Sequence, residues 1–409
     1  MTPLSRDRAL EDFTGLVLLP EVNQSPDPQA VYDRLRKQWG EIAPVQLEPG
    51  IPAWLVMGYR EIIQVARNDR LFSRSAANWR YFDTLQNPES TLAALMTPRD
   101  HAYYANGDEH RRLRAPLDDG LDALDEHRIS RETQAICREL IATFADHGEA
   151  DLVAEYAVLV PMLSVARWFG IGTDEGYRLT EAVLWAFSAG PQSQKGVEII
   201  IEILTNLMQS HKDDPADDMT TSFLRHDDLR NDIEVAFSII LVIMAGYQAT
   251  IAWIAQTLRL ILTDPRFGSR LRGGRLGLDD ALDEVLWRQS PAANMVGGYA
   301  LADTEIAGQR IRKGDAVFLC YAAANTDPRV HSDDPWLAIG NRAHLSFGTG
   351  PHVCPAQRPS RIIARIGVET VLTRLHDLKL AVPADEITNL HSLWAVSPES
   401  LPVRFSGSA

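Results

Sequence analysis

The stretch that decides the fold, Phe347–Ala356, reads FGTGPHVCPA. Its two glycines lack a Cβ, so a backbone turn built from them can approach a flat ligand closely. A helical run from Gln357 to Arg365 follows the turn, which places Cys354 at the N-terminus of a predicted helix. Unpaired N–H groups and the helix dipole favour a thiolate over a thiol there. Pro355 suits the first helical position, because the N–H that it lacks would be unpaired there anyway.

A thiolate held on a glycine-supported turn is what a haem iron needs from a cysteine ligand. The stretch resembles the haem-binding loop of the cytochrome P-450 superfamily, whose pattern is Phe-Gly-x-Gly-x-His-x-Cys-x-Gly. Every fixed position matches except the last, where Ala356 replaces glycine. The resemblance implies that Cys354 binds the iron of haem b, with Phe347, His352 and Ala356 beside the cofactor. The alternative is that Cys354 is a small buried apolar residue, as free cysteines often are, and the surrounding spacing disfavours it.

Charge and cysteine usage exclude several classes of protein. The chain of 409 residues carries a formal net charge of −15, whereas a nucleic-acid-binding protein normally shows a basic face. Cys137, Cys320 and Cys354 are far apart and offer no disulfide framework or zinc pair, which fits a reducing cytoplasm. The N-terminus has no apolar run as long as a signal peptide or membrane anchor. We therefore expect a cytoplasmic protein with no membrane contact.

The resemblance extends from about residue 28 to residue 405 and implies a single domain over residues 1–409. It predicts a mainly α protein with small β-sheets, the cytochrome P-450 fold, in which the haem lies between a central helix and the Cys354 loop. The run Asp228–Leu262 is apolar on all sides, so we expect this central helix to be buried. Gln248, Gln256 and Arg259 interrupt the run and argue against a membrane span.

The centre of this run, residues 245–250, reads AGYQAT. The resemblance places it on the haem face opposite the cysteine, where Ala245 and Gly246 leave room for oxygen. The acid that relays protons in the family is Gln248 here, its threonine is Ala249, and Thr250 matches the last position. A glutamine cannot titrate and an alanine has no hydroxyl. We therefore expect protons to arrive through water or substrate groups, or the reaction to need fewer of them.

Two basic side chains, His110 and Arg114, lie four residues apart and therefore on one face of a predicted helix. Such spacing is common on solvated helix faces, but the resemblance places a pair of haem-propionate donors here and His352 as a third. An arginine that the family usually provides for a propionate falls at residues 298–300, which read GYA. Because that donor is absent, we expect the haem to depend more on the other three.

A further departure concerns the predicted helix Asp279–Gln289, where the family has a buried Glu-x-x-Arg pair. Glu284 is present, but Trp287 stands three residues later. Arg288 lies one turn after Glu284 and could still pair with it, at a shifted angle. Together with the altered oxygen-side pattern, this indicates an atypical branch of the superfamily.

Nothing in the chain resembles a flavin domain, so the resemblance implies electrons from a separate ferredoxin and ferredoxin reductase. A set of arginines forms a candidate docking patch for an acidic ferredoxin, and ordinary surface arginines are an equal alternative. We expect the protein to be a monomer. The arginines of this docking patch are Arg111, Arg112, Arg358, Arg361 and Arg365.

Two reactions are open for such an enzyme. One is hydroxylation of a small natural product, which is the usual reaction of the family. The other is oxidative aryl crosslinking of a short peptide substrate, which the atypical motifs favour slightly, because they resemble bacterial branches with such members. A haem protein without turnover, such as a gas sensor, is a distant alternative. The predicted pocket residues are Trp79, Met244, Asn294, Met295, Val296 and Trp394.

Overall fold

The buried apolar run forms the longest helix of the described structure, Asp232–Thr263. It begins later than the predicted Asp228, because Asn231 caps it: the Asn231 side chain accepts hydrogen bonds from the backbone N–H groups of Ile233 and Glu234. The computed structural model describes residues 8–87, 90–186, 191–272, 277–330 and 340–406 of the chain.

Helices dominate the described chain and pack around this central helix, so the predicted mainly α architecture is confirmed. In chain order the α-helices are α1 (Leu19–Gln24), α2 (Pro28–Trp39), α3 (Tyr59–Ala66), α4 (Ala93–Met96), α5 (Gly107–Asp122), α6 (Glu126–Phe144), α7 (Leu159–Trp168), α8 (Thr173–Ala186), α9 (Pro191–Asp213), α10 (Met219–Leu224), α11 (Asp232–Thr263), α12 (Pro265–Arg272), α13 (Leu278–Arg288), α14 (Tyr321–Asn325) and α15 (Gln357–Arg374).

The predicted small sheets are also present within the described residues. The strands are β1 (Ile42–Glu48), β2 (Ile51–Val56), β3 (Phe72–Ser73), β4 (Glu149–Asp151), β5 (Asn294–Ala300), β6 (Thr304–Ile306), β7 (Gln309–Ile311), β8 (Ala316–Cys320), β9 (His376–Leu380) and β10 (Pro402–Ser406). The largest sheet has the order β1-β2-β8-β5-β3. In it β2 and β8 are parallel, and the other neighbouring strands are antiparallel.

Close packing of α11 against α15 positions the cysteine loop. A Cβ at Gly367 of α15 would lie 3.1 Å from the Cδ1 atom of Ile254 on α11, so the glycine allows the two helices to approach. The carbonyl of Gly367 also accepts a hydrogen bond from the Tyr156 hydroxyl at 2.7 Å. The start of α15, which directly follows the loop, is thereby fixed relative to the central helix.

Among the described residues, α11 is the one helix whose length and apolar composition would suit a membrane span. It packs against α7, α13 and α15. Ile254 and Leu258 of α11 have no accessible surface and belong to the main hydrophobic core. Burial within the protein therefore accounts for its apolar composition.

Two of the three cysteines are buried in apolar cores. Cys137 lies on α6 in the helical core, and Cys320 ends β8 in a core beside the largest sheet. Burial raises the pKa of Cys137 to about 12 and the pKa of Cys320 to about 11. Both thiols are therefore protonated at neutral pH and are inert as nucleophiles or metal ligands.

Candidate active site

The loop before α15 is a tight turn whose two glycines have left-handed backbone angles. The φ angle is +75° at Gly348 and +74° at Gly350. A Cβ at residue 350 would lie 2.6 Å from the carbonyl oxygen of Ala66, at the end of α3. A Cβ at residue 348 would lie 3.3 Å from the hydroxyl oxygen of Tyr321 on α14. The glycines thus let the loop pack on α3 and α14, a role that was not predicted.

Cys354 closes this turn, because its backbone N–H donates to the carbonyl of Phe347 at 2.8 Å. Helix α15 begins at Gln357, with Ala356 as its N-cap. Pro355 therefore precedes the helix and does not occupy the predicted first helical position. Cys354 still lies directly before the N-terminus of α15, as the sequence predicted.

The chemistry of the Cys354 thiol fits a protein ligand of haem iron. Burial raises the pKa of the thiol, while the backbone N–H of Ala356 and the charge of Arg114 oppose that rise. A metal ion deprotonates such a thiol outright, because the metal takes the place of the proton. A single protein thiolate would therefore suit the iron of a haem, because the porphyrin supplies the other ligands.

Helix α5 brings its two predicted basic residues to the same loop. The ring centroids of His110 and His352 lie 4.0 Å apart. The Nε2 atom of His110 is buried and has no hydrogen-bond partner among the described residues. The Arg114 guanidinium donates to Asp118 through Nε at 2.7 Å and to the carbonyl of Pro351 through Nη1 at 3.3 Å. The structure therefore brings the three predicted propionate donors together.

Positive charge accumulates around the two histidines. The pKa of His110 is lowered by burial first, and then by the charges of Arg114 and Arg74. The pKa of His352 is lowered strongly by burial, and further by Arg74, His110 and Arg114. Buried donors of this kind need an acceptor, and the two carboxylates of a haem would supply it. The residues around the loop thus fit that cofactor.

Arg74, which was not among the predicted site residues, lies at this point directly after β3. It is buried, and its Nη1 atom has no hydrogen-bond partner among the described residues. Its guanidinium carbon lies 5.4 Å from the ring centroid of Tyr103. Nothing in the sequence distinguishes Arg74 from a solvated arginine, so only the tertiary structure identifies it.

The middle of α11 carries the residues predicted for the oxygen side. Ala245 is exposed at the centre of this otherwise largely buried helix. A Cβ at Gly246 would lie 3.3 Å from the Cγ2 atom of Val165, so this glycine lets α7 approach α11. That packing role was not predicted. The half-buried neighbours are Met244, Gln248 and Ala249, and Thr250 is buried.

Helix α13 replaces the Glu-x-x-Arg pair by a different arrangement. Glu284 is buried and forms an ion pair with Arg288, the residue that the sequence offered as a substitute. Trp287 stands where the arginine is missing, and its Nε1–H donates to the carbonyl of Asn341 at 2.8 Å. The indole thereby connects α13 to the segment that leads into the cysteine loop.

Asp283, which was not singled out from the sequence, also binds the segment that leads into the cysteine loop. Its Oδ2 accepts from Nε of Arg342 at 3.0 Å, and its Oδ1 accepts from Nη2 of Arg361 at 2.5 Å. The Arg361 guanidinium lies over the Trp253 ring of α11, 5.4 Å from its centroid. Trp253 in turn contacts Phe347 edge-on, with centroids 5.7 Å apart. This chain of contacts fixes the start of the loop against the central helix.

Two arginines of the predicted docking patch are bound inside the protein. Arg361 is held by Asp283, and Arg112 pairs with the buried Glu234 at 2.8 Å. Their side chains are mostly buried, so their inclusion in a docking surface was wrong. The more exposed members of the patch are Arg111, Arg358 and Arg365.

The predicted pocket residues fall into two groups. Trp79, Asn294 and Val296 have almost no accessible surface, because the core beside the largest sheet packs around them. The Nδ2 atom of Asn294, for example, donates to the carbonyl of Leu393 at 3.0 Å. In this structure the three side chains have little surface that a substrate could contact, and their assignment to the pocket stays a prediction. The remaining members are partly exposed and stay predictions: Met244, Met295 and Trp394.

No protein-family model matches the chain. It is 27% identical over 405 residues to the 2-hydroxy-5-methyl-1-naphthoate 7-hydroxylase of Streptomyces carzinostaticus, covering 94% of this chain and 97% of that protein. Its structure resembles that of a cytochrome P-450 from Streptomyces coelicolor A3(2), with a TM-score of 0.81, 25% identity and coverage of 95% and 100% of the two chains. It also resembles the cytochrome P-450 enzyme for C–S bond formation in chuangxinmycin biosynthesis, with a TM-score of 0.83, 25% identity and coverage of 97% and 98%.

Proposed function

The chain belongs to the cytochrome P-450 superfamily and is a monooxygenase-type oxidoreductase, and on that premise we propose that it oxidises a small natural product in a bacterial biosynthetic pathway. The observation that supports the catalytic centre is the placement of Cys354 before α15, beside the buried unpaired donors of His110 and Arg74. The substrate class is supported by the relative named as a naphthoate hydroxylase.

The residues of the chain would hold and orient the cofactor. A bound haem supplies the activation of dioxygen. In our proposal Cys354 binds the iron, and His110, Arg114 and His352 bind the haem carboxylates. The exposed small side chain of Ala245 leaves space at the centre of α11 for oxygen and substrate.

The proposed oxygen side has no titratable group at the two positions where the family relays protons. The half-buried amide of Gln248 can donate or accept a hydrogen bond, but it neither gains nor loses a proton at neutral pH. Ala249 has no polar side-chain atom. We propose that protons therefore reach this side through water or through groups of the substrate.

We propose that the cofactor is haem b. A covalently attached c-type haem would need a Cys-x-x-Cys-His motif, and the sequence has none. Cys137 and Cys320 are buried in apolar cores, so neither is available for a thioether bond to a haem. Coordination by Cys354 and the carboxylate contacts would then hold the cofactor without covalent attachment to the porphyrin.

A second candidate function, oxidative aryl crosslinking of a short peptide, is favoured by the same substitutions. Coupling two aryl groups removes two hydrogen atoms and inserts no oxygen, and phenolic groups of such a substrate would supply protons at the side where Gln248 and Ala249 replace the acid and hydroxyl. The structurally similar cytochrome P-450 of chuangxinmycin biosynthesis forms a C–S bond, which supports bond formation as an activity of this fold.

The first experiment tests the haem–thiolate centre. Purified protein is reduced under carbon monoxide, and we expect the red-shifted Soret band of a thiolate-bound haem. Cys354→His should move the band to the position typical of a histidine-bound haem. A wild-type spectrum of the histidine type, or a protein that binds no haem, would refute the proposed centre.

The second experiment separates the two reactions by product mass. Candidate substrates are incubated with the enzyme, a ferredoxin and a ferredoxin reductase. Hydroxylation adds one oxygen atom to the product, whereas crosslinking removes two hydrogen atoms. Gln248→Glu combined with Ala249→Thr restores the usual pair, and we expect it to increase the share of oxygen insertion.

We further propose a monomeric, cytoplasmic enzyme whose haem domain spans residues 1–409 and which receives electrons from an acidic ferredoxin. The proposed docking surface is reduced to Arg111, Arg358 and Arg365, because these guanidinium groups are the more exposed ones. Arg358 and Arg365 lie on α15, the helix that follows Cys354, and Arg111 lies on α5.

A further inference from the structure

Strand β5 has no room for the arginine that the superfamily usually places there to bind a haem propionate. At Gly298 the φ angle is +144°, and a Cβ would lie 2.8 Å from Cβ of Phe72 and 3.0 Å from the carbonyl oxygen of Ser73. Strand β3 runs antiparallel to β5, with Ser73 opposite Tyr299. The next residues along the two strands are therefore Arg74 and Gly298, which places an arginine across from the position that lacks one.

The Arg74 guanidinium is buried with its charge unbalanced. The residue is 8% exposed, and no carboxylate pairs with it among the described residues. Its Nη1 atom has no hydrogen-bond partner there either. The Tyr103 ring covers the guanidinium on one side, 5.4 Å from its carbon. A buried cation of this kind is costly unless an anion neutralises it.

The backbone of Arg74 is fixed relative to α5. Its N–H donates to Oδ1 of Asn106 at 2.7 Å, and Asn106 is the N-cap residue of α5. The side chain of Asn106 also donates to the carbonyl of Phe72 at 3.4 Å. Because α5 carries His110, the histidine and Arg74 are anchored on one rigid frame.

The charges around this frame form a site for an anion. The N–H of Arg74 is bonded to the N-cap residue of α5, and the charge of Arg74 contributes to the lowered pKa of His110 on that helix, so its guanidinium lies near the His110 ring. The carboxylates of Asp118 and Asp69 act on His110 in the opposite direction. Neither of them pairs with Arg74 in the described structure. The Arg74 guanidinium is thus buried without a paired carboxylate among the described residues, and an added anion would balance its charge.

We propose that Arg74 binds a carboxylate of the haem and replaces, from the neighbouring strand, the arginine that β5 lacks. The inference rests on the proposed haem site and adds one residue to it. Arg74 would then act together with His110, Arg114 and His352. The departure at Gly298 is thereby compensated across the β3–β5 pair.

Haem transfer to an excess of apomyoglobin tests this assignment. Holoenzymes of the wild type, Arg74→Gln and Arg74→Lys are compared by the change in the Soret band. We expect Arg74→Gln to release haem about tenfold faster, which is the fold-change for losing one hydrogen bond to a charged group. Arg74→Lys keeps the charge and should lie between. Arg70→Gln, an exposed arginine of the same segment, is the matched control and should behave like the wild type.

Haem dimethyl ester carries two uncharged ester groups in place of the carboxylates. It distinguishes a direct contact between Arg74 and a haem carboxylate from a general destabilisation of the protein. With the ester, wild type and Arg74→Gln should release the cofactor at the same rate, because the pairwise interaction is already absent. Equal release rates with ordinary haem would overturn the inference. A tenfold difference that persists with the ester would overturn it too.

Two further outcomes identify what has failed. In one outcome, Arg74→Gln releases haem at the wild-type rate but no longer shows the spectral shift caused by an acidic ligand. Arg74 would then bind the substrate rather than a haem carboxylate, and the inference would be refuted. A wild-type protein without the thiolate Soret band would instead refute the proposed haem–thiolate centre. The carbon monoxide spectrum of the wild type therefore distinguishes the two failures.

Discussion

Asp283 of α13 binds Arg361 of α15, with Oδ1 and Nη2 2.5 Å apart, and the same carboxylate binds Arg342 at 3.0 Å. One acidic side chain thereby joins α13 to the segments on both sides of the cysteine turn. In the usual pattern of the superfamily, the expected acid at this helix is the neighbouring Glu284. Here Glu284 forms an ion pair with Arg288 of its own helix, and Asp283 contacts Arg342 and Arg361 in other segments.

Asp283→Asn should destabilise the holoenzyme by about 3 kcal/mol, because it removes the charge that two arginines share at a buried position. Urea unfolding followed by tryptophan fluorescence measures this free energy. Asp279→Asn on the same helix is the control. Its carboxylate lies 3.8 Å from Arg365 at the surface, so we expect a change of less than about 0.5 kcal/mol. Equal effects of the two substitutions would contradict the role of Asp283.

Gly350→Ala should cost about 2 kcal/mol or more in unfolding free energy and reduce haem content. The new Cβ would meet the Ala66 carbonyl oxygen at 2.6 Å in addition to the left-handed backbone strain. Gly308→Ala provides a control with the strain alone, because φ is +79° there and nothing lies within 4 Å. We expect about 1 kcal/mol for that variant. A smaller cost at residue 350 than at residue 308 would count against the close contact with α3.

The unfolding free energy should fall as the pH drops from 7 to 5, in part through His344. Burial lowers the pKa of His344 from 6.5 to about 4. The unfolded chain therefore takes up a proton below pH 6.5, while the folded protein does so only near pH 4. The unfolding free energy that His344 contributes above pH 6.5 is therefore lost progressively as the pH falls from 6.5 toward 4. At pH 5 the loss is about 2 kcal/mol.

His344→Phe should flatten this pH dependence, measured by urea unfolding at pH 7 and at pH 5. The exposed His147→Gln is the control and should keep the slope of the wild type. His101, whose pKa burial also lowers to about 4, contributes a similar slope that His344→Phe leaves in place. A His344→Phe protein with an unchanged slope would contradict the shift.

Reversal of charge at Arg358 and Arg365 should slow electron transfer from an acidic ferredoxin. We expect the second-order rate constant of reduction at low salt to fall about tenfold, and its salt dependence to weaken. Stopped-flow reduction under carbon monoxide measures this rate. Arg178→Glu, on the exposed surface of α8, is the matched reversal away from the patch. A similar decrease in that variant would show an effect of net charge rather than docking.

The sequence predicted the elements whose pattern is local. The glycine–histidine–cysteine spacing identified the loop around Cys354, and the unbroken apolar run identified α11. The spacing of His110 and Arg114 placed both on one face of a helix, and the family resemblance singled the pair out as donors. Such local patterns can be recognised in the sequence without knowledge of the tertiary fold.

Contacts between distant segments were missed for a physical reason. No local sequence motif marks Arg74 or Asp283. Their importance comes from the strand or helix that packs beside each of them. Asn294 and Val296 were assigned to a pocket by position along the chain, but the packing of the core around β5 leaves them almost no accessible surface. Burial of a given side chain depends on neighbours that a linear pattern does not contain.

The contact between Gly298 and Phe72 also constrains how this protein can change over generations. A mutation that introduces arginine at residue 298 would bring its Cβ to within 2.8 Å of Cβ of Phe72, so this substitution would destabilise the β3–β5 pair. Strand β3 would first have to shift, or Phe72 would have to be replaced by a smaller residue, and neither change improves haem binding by itself. We therefore expect proteins that descend from this one to keep glycine at residue 298. Arg74, directly after β3, then becomes the residue that selection conserves for haem binding.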